Sequence, residues 1–170
     1  MLCNIMKRDE VVKLIICCSV PLAIGFAGSF FTANSMDWYQ TLAKPAFNPP
    51  SWVFAPVWTV LYLLMGISAF LVWTSTSSVE SRKKPANAAV KVALSCFILQ
   101  LVFNALWTPV FFGAKQPLVA FGDIVLLWLA IAATIICFHR INKLSAILLI
   151  PYIIWVSFAA VLNAAICMLN

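Results

Sequence analysis

The chain has 170 residues, of which 64% are hydrophobic and 9% charged, with a net charge of +6 and a mean hydropathy of +1.03. A soluble domain of this length cannot hide that much apolar surface, which leaves an integral membrane protein as the class. The basic residues are too dispersed for a nucleic-acid surface, so no nucleic-acid partner is expected.

The first predicted span is Leu14–Ala33. Lys7, Arg8 and Lys13 precede it in the manner of a signal peptide, but the run is too long and Asp9 and Glu10 interrupt the basic region. It reads as a retained helix. Next comes Trp38 to Pro50, WYQTLAKPAFNPP. Pro45, Pro49 and Pro50 remove backbone donors, so this run reads as a stiffened, extended connection that carries Trp38, Tyr39 and Phe47. A rigid aromatic loop at a membrane boundary either anchors there or closes over something. Four more spans follow at Trp52–Trp73, Val90–Phe112, Leu118–Phe138 and Leu144–Leu169. Each is long enough to cross about 30 Å of hydrocarbon as a helix. None alternates with period two, which disfavours a β-barrel. The fold class is all-α, a single-domain membrane bundle of five transmembrane helices over residues 1–170.

Five spans put the N-terminus, the 75–90 loop and the 139–143 loop on one side. That side holds Lys7, Arg8, Lys13, Arg82, Lys83, Lys84, Lys91, Arg140 and Lys143, and the other holds Lys44 and Lys115. The asymmetry predicts a cytoplasmic N-terminus. A prokaryotic cell membrane is favoured, an organelle membrane is the alternative, and membrane lipid is a partner.

Polar residues inside spans are costly and therefore informative. Gln100, Asn104, Trp107 and Phe111 fall on one face of the third span. Interhelical hydrogen bonding and a cavity are both open readings for that face, and a cavity is favoured for Asn104 and Trp107. Asp123 is the one acid inside a span, about a turn into the fourth, where a carboxylate suits the helix dipole. In the fifth, Tyr152, Trp155, Ala159, Leu162 and Asn163 form one stripe, and Pro151 predicts a bend because it frees the carbonyl of Ile147. Trp58, Tyr62 and Met65 share a face of the second. Such stripes are ordinarily core. Here their indoles, sparse polar groups and small residues fall towards the half beneath the Trp38–Pro50 loop, which suits a flat hydrophobic ligand. The small residues Ala23, Gly25, Ala27, Gly28 and Ser29 allow close helix packing, within the bundle or in a homodimer. The six cysteines lack metal-ligand spacing, and the single histidine, His139, lies at the far end of the fourth span, so no metal site is expected.

Several long motifs in order resemble the translocator protein / tryptophan-rich sensory protein (TspO/MBR) family. They are WYxxLxKPxFxPP at 38–50, PVWxxLYxxMG at 56–66, QLxxNxxWxPxFFGxxQ at 100–116, Asp123, and PYxxWxxFAxxLN at 151–163. The resemblance implies a five-helix bundle, commonly dimeric, whose pocket is roofed by the first loop, about residues 34–51. Trp38, Tyr39, Lys44, Pro45, Pro49 and Pro50 would belong to that lid. Trp58, Trp107, Trp155, Ala159, Leu162 and Asn163 would line the pocket, with Asp123 at the equivalent place on the fourth helix. Family members bind porphyrins and synthetic aromatic ligands, and some vertebrate members bind cholesterol. Some bacterial members are reported to degrade protoporphyrin in light, which would make Trp58 and Trp155 the candidate catalytic residues. The animal cholesterol pattern is absent: Ala164 and Met168 occupy its Tyr and Arg positions, and no Tyr, Lys or Arg follows Val161.

The function implied is a membrane receptor, sensor or carrier for protoporphyrin-type ligands, with no obligatory cofactor. Light-dependent porphyrin degradation, or small-molecule or sterol transport, is the alternative. The span interiors lack partnered titratable groups for ordinary acid–base catalysis, and neither inverted repeats nor broken helix pairs mark alternating access.

Overall fold

The computed structural model describes residues 8–75 and 84–170. Lys7, Arg82, Lys83 and Cys3 lie outside them. Five elements are long and apolar enough to cross a membrane: Arg8–Asn34, Ser51–Thr74, Asn87–Gly113, Pro117–His139 and Lys143–Leu169. They are built from helices α1 (Arg8–Asn34), α3 (Phe54–Thr74), α4 (Lys84–Thr108), α5 (Pro117–His139) and the pair α6 (Lys143–Leu148) and α7 (Ile150–Leu169). Among the described residues there is no strand.

A further short helix, α2 (Met36–Thr41), corrects one expectation. The run beginning at Trp38 is not extended throughout, because its prolines restrict the backbone only from Lys44 onward. Trp38 and Tyr39 therefore stand on a helical turn, which ends where Leu42 becomes extended (φ −70°, ψ 139°). The rest is the proline-stiffened connection anticipated, with a turn closed by Asn48 N–H donating to Pro45 O at 3.0 Å.

The helices form a closed ring in which α1 packs on α3, α3 on α6, α7 on α5, α5 on α4, and α4 on α1. Lipid is as apolar as the helix surfaces, so close packing and interhelical hydrogen bonds hold such a ring, not hydrophobic burial. Glycine sets the tightest contact. A Cβ on Gly66 would sit 2.6 Å from Cys18 Cα and 2.8 Å from Cys17 O. Cys17 O is also the carbonyl to which Pro21, inside α1, cannot donate. A Cβ on Gly25 would strike the Tyr62 ring. These two glycines thus serve α1–α3 packing inside one chain.

Two prolines shape the other helices. Pro109 ends α4 in a π turn, Pro109–Gly113, closed by Ala114 N–H donating to Pro109 O at 2.8 Å. That turn buries Phe111 (2% exposed) and sends the Phe112 carbonyl to Ser35 Oγ, 2.8 Å away. Pro151 sits in the first turn of α7, just after the break at Leu149 that separates α6 from α7. The break falls where its missing donor predicts a bend.

Candidate functional site

Residues 35–53, the α4–α5 turn and the C-terminus lie at one end of the bundle. There α2 presses aromatic rings into the mouth of the ring. Trp38 meets Phe111 edge-on at 5.9 Å, and Tyr39 lies 5.5 Å from Phe112. Tyr39 donates to Asn48 Oδ1 at 3.0 Å. Burial pushes the Tyr39 hydroxyl above the ordinary tyrosine range, and the Asn48 bond offsets this only in part. Lys44 folds back, donating to Gln40 O (3.3 Å) and Leu42 O (3.2 Å), and places its ammonium 4.8 Å from the Tyr39 ring centre. It braces the end of α2, where helix carbonyls lack partners. Asn170 completes the closure, accepting from Ala43 N–H at 3.0 Å and donating to Ala43 O at 3.1 Å.

Beneath this cap the candidate residues divide into connected groups. Trp107 stacks on Phe111 (5.0 Å, 21°) and donates its indole N–H to Asn163 Oδ1 at 3.2 Å. Asn163, 1% exposed, donates in turn to Pro117 O at 2.9 Å, so one amide ties α4, α5 and α7 together. Leu162 packs into this upper cluster beside Phe111 and Ala120.

Deeper, Asn104 joins two tyrosines. It accepts from the Tyr62 hydroxyl and donates to the Tyr152 hydroxyl, both at 3.0 Å, linking α3, α4 and α7. Trp58 stacks on Tyr62 (5.3 Å, 28°) and meets Tyr152 edge-on at 6.3 Å. Gln100, one turn below Asn104, is 1% exposed, and neither atom of its amide group has a partner in the protein. The interhelical bond considered for Gln100 is not made.

Asp123 is the seventh residue of α5, in its second turn, deeper than a first-turn carboxylate. One of its oxygens is buried and without a protein partner. Trp155 contacts Phe54 edge-on (6.0 Å) and Phe158 (5.6 Å), and its indole N–H is likewise buried without an acceptor. Ala159 packs half-buried against the main core.

Open space lies beside these groups. A groove of about 810 Å³ runs between α3 and α7, lined chiefly by Pro56, Val57, Val60, Ile154, Trp155 and Phe158. Of the candidate pocket residues, Trp155 alone borders it; Trp58, Trp107, Ala159, Leu162 and Asn163 pack behind. Phe111, on the same face as Gln100, Asn104 and Trp107, is buried beneath the cap, and the partly buried Phe54 and Phe158 flank Trp155. No polar or small-residue signal marks Phe54 or Phe158; Phe158 stands within an aromatic motif and Phe54 lies between two of them. Among the described residues no three His, Cys, Asp or Glu side chains converge to hold an ion.

Residues 17–169 match the TspO/MBR family. The chain is 43% identical over 164 residues to a tryptophan-rich protein TspO of Chlorobaculum tepidum, covering 96% of this chain and 99% of that one. It is 39% identical to a tryptophan-rich sensory protein of Cereibacter sphaeroides, covering 79% and 77% respectively. It is 37% identical to the translocator protein of Homo sapiens, covering 81% and 78%.

Proposed function

Because this chain belongs to the TspO/MBR family of membrane proteins, we propose that it is a receptor or carrier for flat hydrophobic tetrapyrroles of the protoporphyrin type. The observation that most supports this reading is the Trp155 indole. Its ring borders an apolar groove, while its N–H is buried behind that face, without an acceptor and beside an aromatic interior. A buried donor without a partner is costly, and a ligand that supplies an acceptor and a π face removes that cost. Phe54, Phe158 and Trp58 offer further ring surface. The names sensory protein and translocator protein carried by relatives accord with a binding role. His139 is exposed at the opposite end of the bundle, so binding proceeds by stacking and hydrogen bonding without axial ligation of a metal. The basic residues Arg8, Lys13, Lys91, Arg140 and Lys143 lie opposite Lys44 and Lys115, which supports an orientation with the N-terminus in the cytoplasm and the capped end outside.

Quenching of the tryptophans by protoporphyrin, in the dark and in lipid vesicles, tests this. Trp155→Phe keeps most of the apolar volume but removes the indole N–H, and should weaken binding severalfold with little loss of thermal stability. Ala159→Phe sets a large ring one helical turn from Trp155 and should abolish binding by displacing that indole. If both variants bind like the parent, or the parent does not bind, the reading fails. A new pigment formed only on illumination, and only with Trp58 and Trp155 intact, would replace it with the degradative one.

A further inference from the structure

We infer that the ligand of this site enters and leaves sideways, from the bilayer through the gap between α3 and α7, and not through the capped end. The inference rests on the binding role proposed above and adds the route.

The capped end is closed by contacts of several kinds. Ser35 bonds the Phe112 carbonyl, Asn170 bonds both backbone groups of Ala43, and Trp38 and Tyr39 insert beside Phe111 and Phe112. Polar or charged solute arriving from water would have to break all of them.

The α3–α7 side is built differently. The last span leaves α3 part-way along. Its α6 segment is fastened to α3 by Ser68 Oγ donating to Ser145 O at 2.7 Å, whereas α7 packs mainly on α5, to which Ser157 Oγ is tied by the Trp128 indole N–H at 2.8 Å. The break at Leu149 and Pro151 makes this change of direction, since Pro151 cannot donate back to Ile147. The resulting wedge is the groove, and every residue lining it is apolar, the Trp155 N–H being buried away from the opening. Its rim residues Val60 and Ile154 are 55% and 63% exposed, so they face hydrocarbon in a membrane. A wall without polar groups offers no advantage to a solute coming from water. It suits a planar apolar molecule already dissolved in the bilayer, with one acceptor for the indole N–H. Trp155 also contacts Phe54 and Phe158, so the surface behind the groove mouth is aromatic and sets no polar barrier before a ligand.

Stopped-flow quenching with protoporphyrin already dissolved in the vesicle bilayer tests the route on the full chain. Val60→Phe and Ile154→Phe crowd the rim, and should slow both association and dissociation severalfold. Ile154→Ala widens the gap and should speed both rates, so the conclusion does not hang on one variant's folding. Asn170→Ala and Ser35→Ala loosen the cap and should leave both rates unchanged. Faster exchange in the cap variants with no change in the rim variants would overturn the inference. So would loss of equilibrium binding in the rim variants alone, which would make the groove a seat and not a passage. A parent that does not quench at all would instead refute the binding role.

Discussion

Asn104 offers the sharpest test of how the interior is held. It is 5% exposed and makes two hydrogen bonds of 3.0 Å, one to each tyrosine hydroxyl. Side-chain hydrogen bonds within membrane proteins average about 0.6 kcal/mol, so the pair itself contributes about 1 kcal/mol. Asn104→Ala also strands the Tyr62 hydroxyl without its acceptor, and a buried group left unpaired costs about 1–3 kcal/mol. The expected loss is therefore about 2–4 kcal/mol, measured by reversible unfolding in bicelles. Tyr152→Phe removes one partner only and should cost less. In a double-mutant cycle the two changes should couple by about 0.6 kcal/mol, because they share one bond. Trp58 rests on Tyr62, so Asn104→Ala should also weaken protoporphyrin quenching. A loss below about 0.5 kcal/mol together with strictly additive single costs would refute the reasoning, since the hydroxyls would then have other partners.

Three further outcomes follow from particular contacts. Gly66→Ala should destabilise by about 1–3 kcal/mol, because its Cβ meets the backbone of α1; Gly122→Ala, with nothing within 4 Å, should be neutral or slightly stabilising, and equal melting temperatures for the two would contradict this. Tyr39 has its folded-state pKa raised above 10.0, so its contribution to the cap is complete below that value and is lost as pH rises through the higher folded one. The tyrosinate absorbance that Tyr39→Phe removes should therefore titrate above the ordinary tyrosine range, and a midpoint at or below it would rule this out. In intact cells, on a background without native cysteines, an impermeant thiol reagent should label Lys44→Cys and not Lys143→Cys; the reverse pattern would invert the proposed orientation.

Much of the architecture was legible because a bilayer imposes a length and an apolarity that few other contexts demand. The fourth span, expected at Leu118–Phe138, is found at Pro117–His139, and the bend at Pro151 follows from a missing donor. Local rules also explain what was missed. The prolines of the 38–50 run were extended in influence to Trp38, several residues before the first of them, so α2 went unseen. The π turn at Pro109 carried a weaker signal, a proline followed by two phenylalanines and a glycine, which fixes no particular hydrogen-bond pattern.

The site was legible one helix at a time. Tyr62, Asn104 and Tyr152 each stood out on a separate stripe, yet a stripe does not say which helix it faces. Only the order of the ring brings Asn104 between the two hydroxyls and turns three isolated polar groups into one linkage across α3, α4 and α7. The small residues of α1 show the same limit. From sequence they suit a homodimer as well as the bundle; the positions that a Cβ would occupy assign Gly25 to Tyr62 and Gly66 to the Cys17–Cys18 backbone. The groove carries the point furthest. Its cause, Pro151, was visible from the start, but a bend leaves a gap only when the two halves of the helix have different neighbours. Here α6 packs on both α3 and α5, whereas α7 packs on α5 and barely meets α3. The same residue that breaks the helix therefore leaves the Trp155 indole at the edge of the hydrocarbon, where the proposed ligand would meet it.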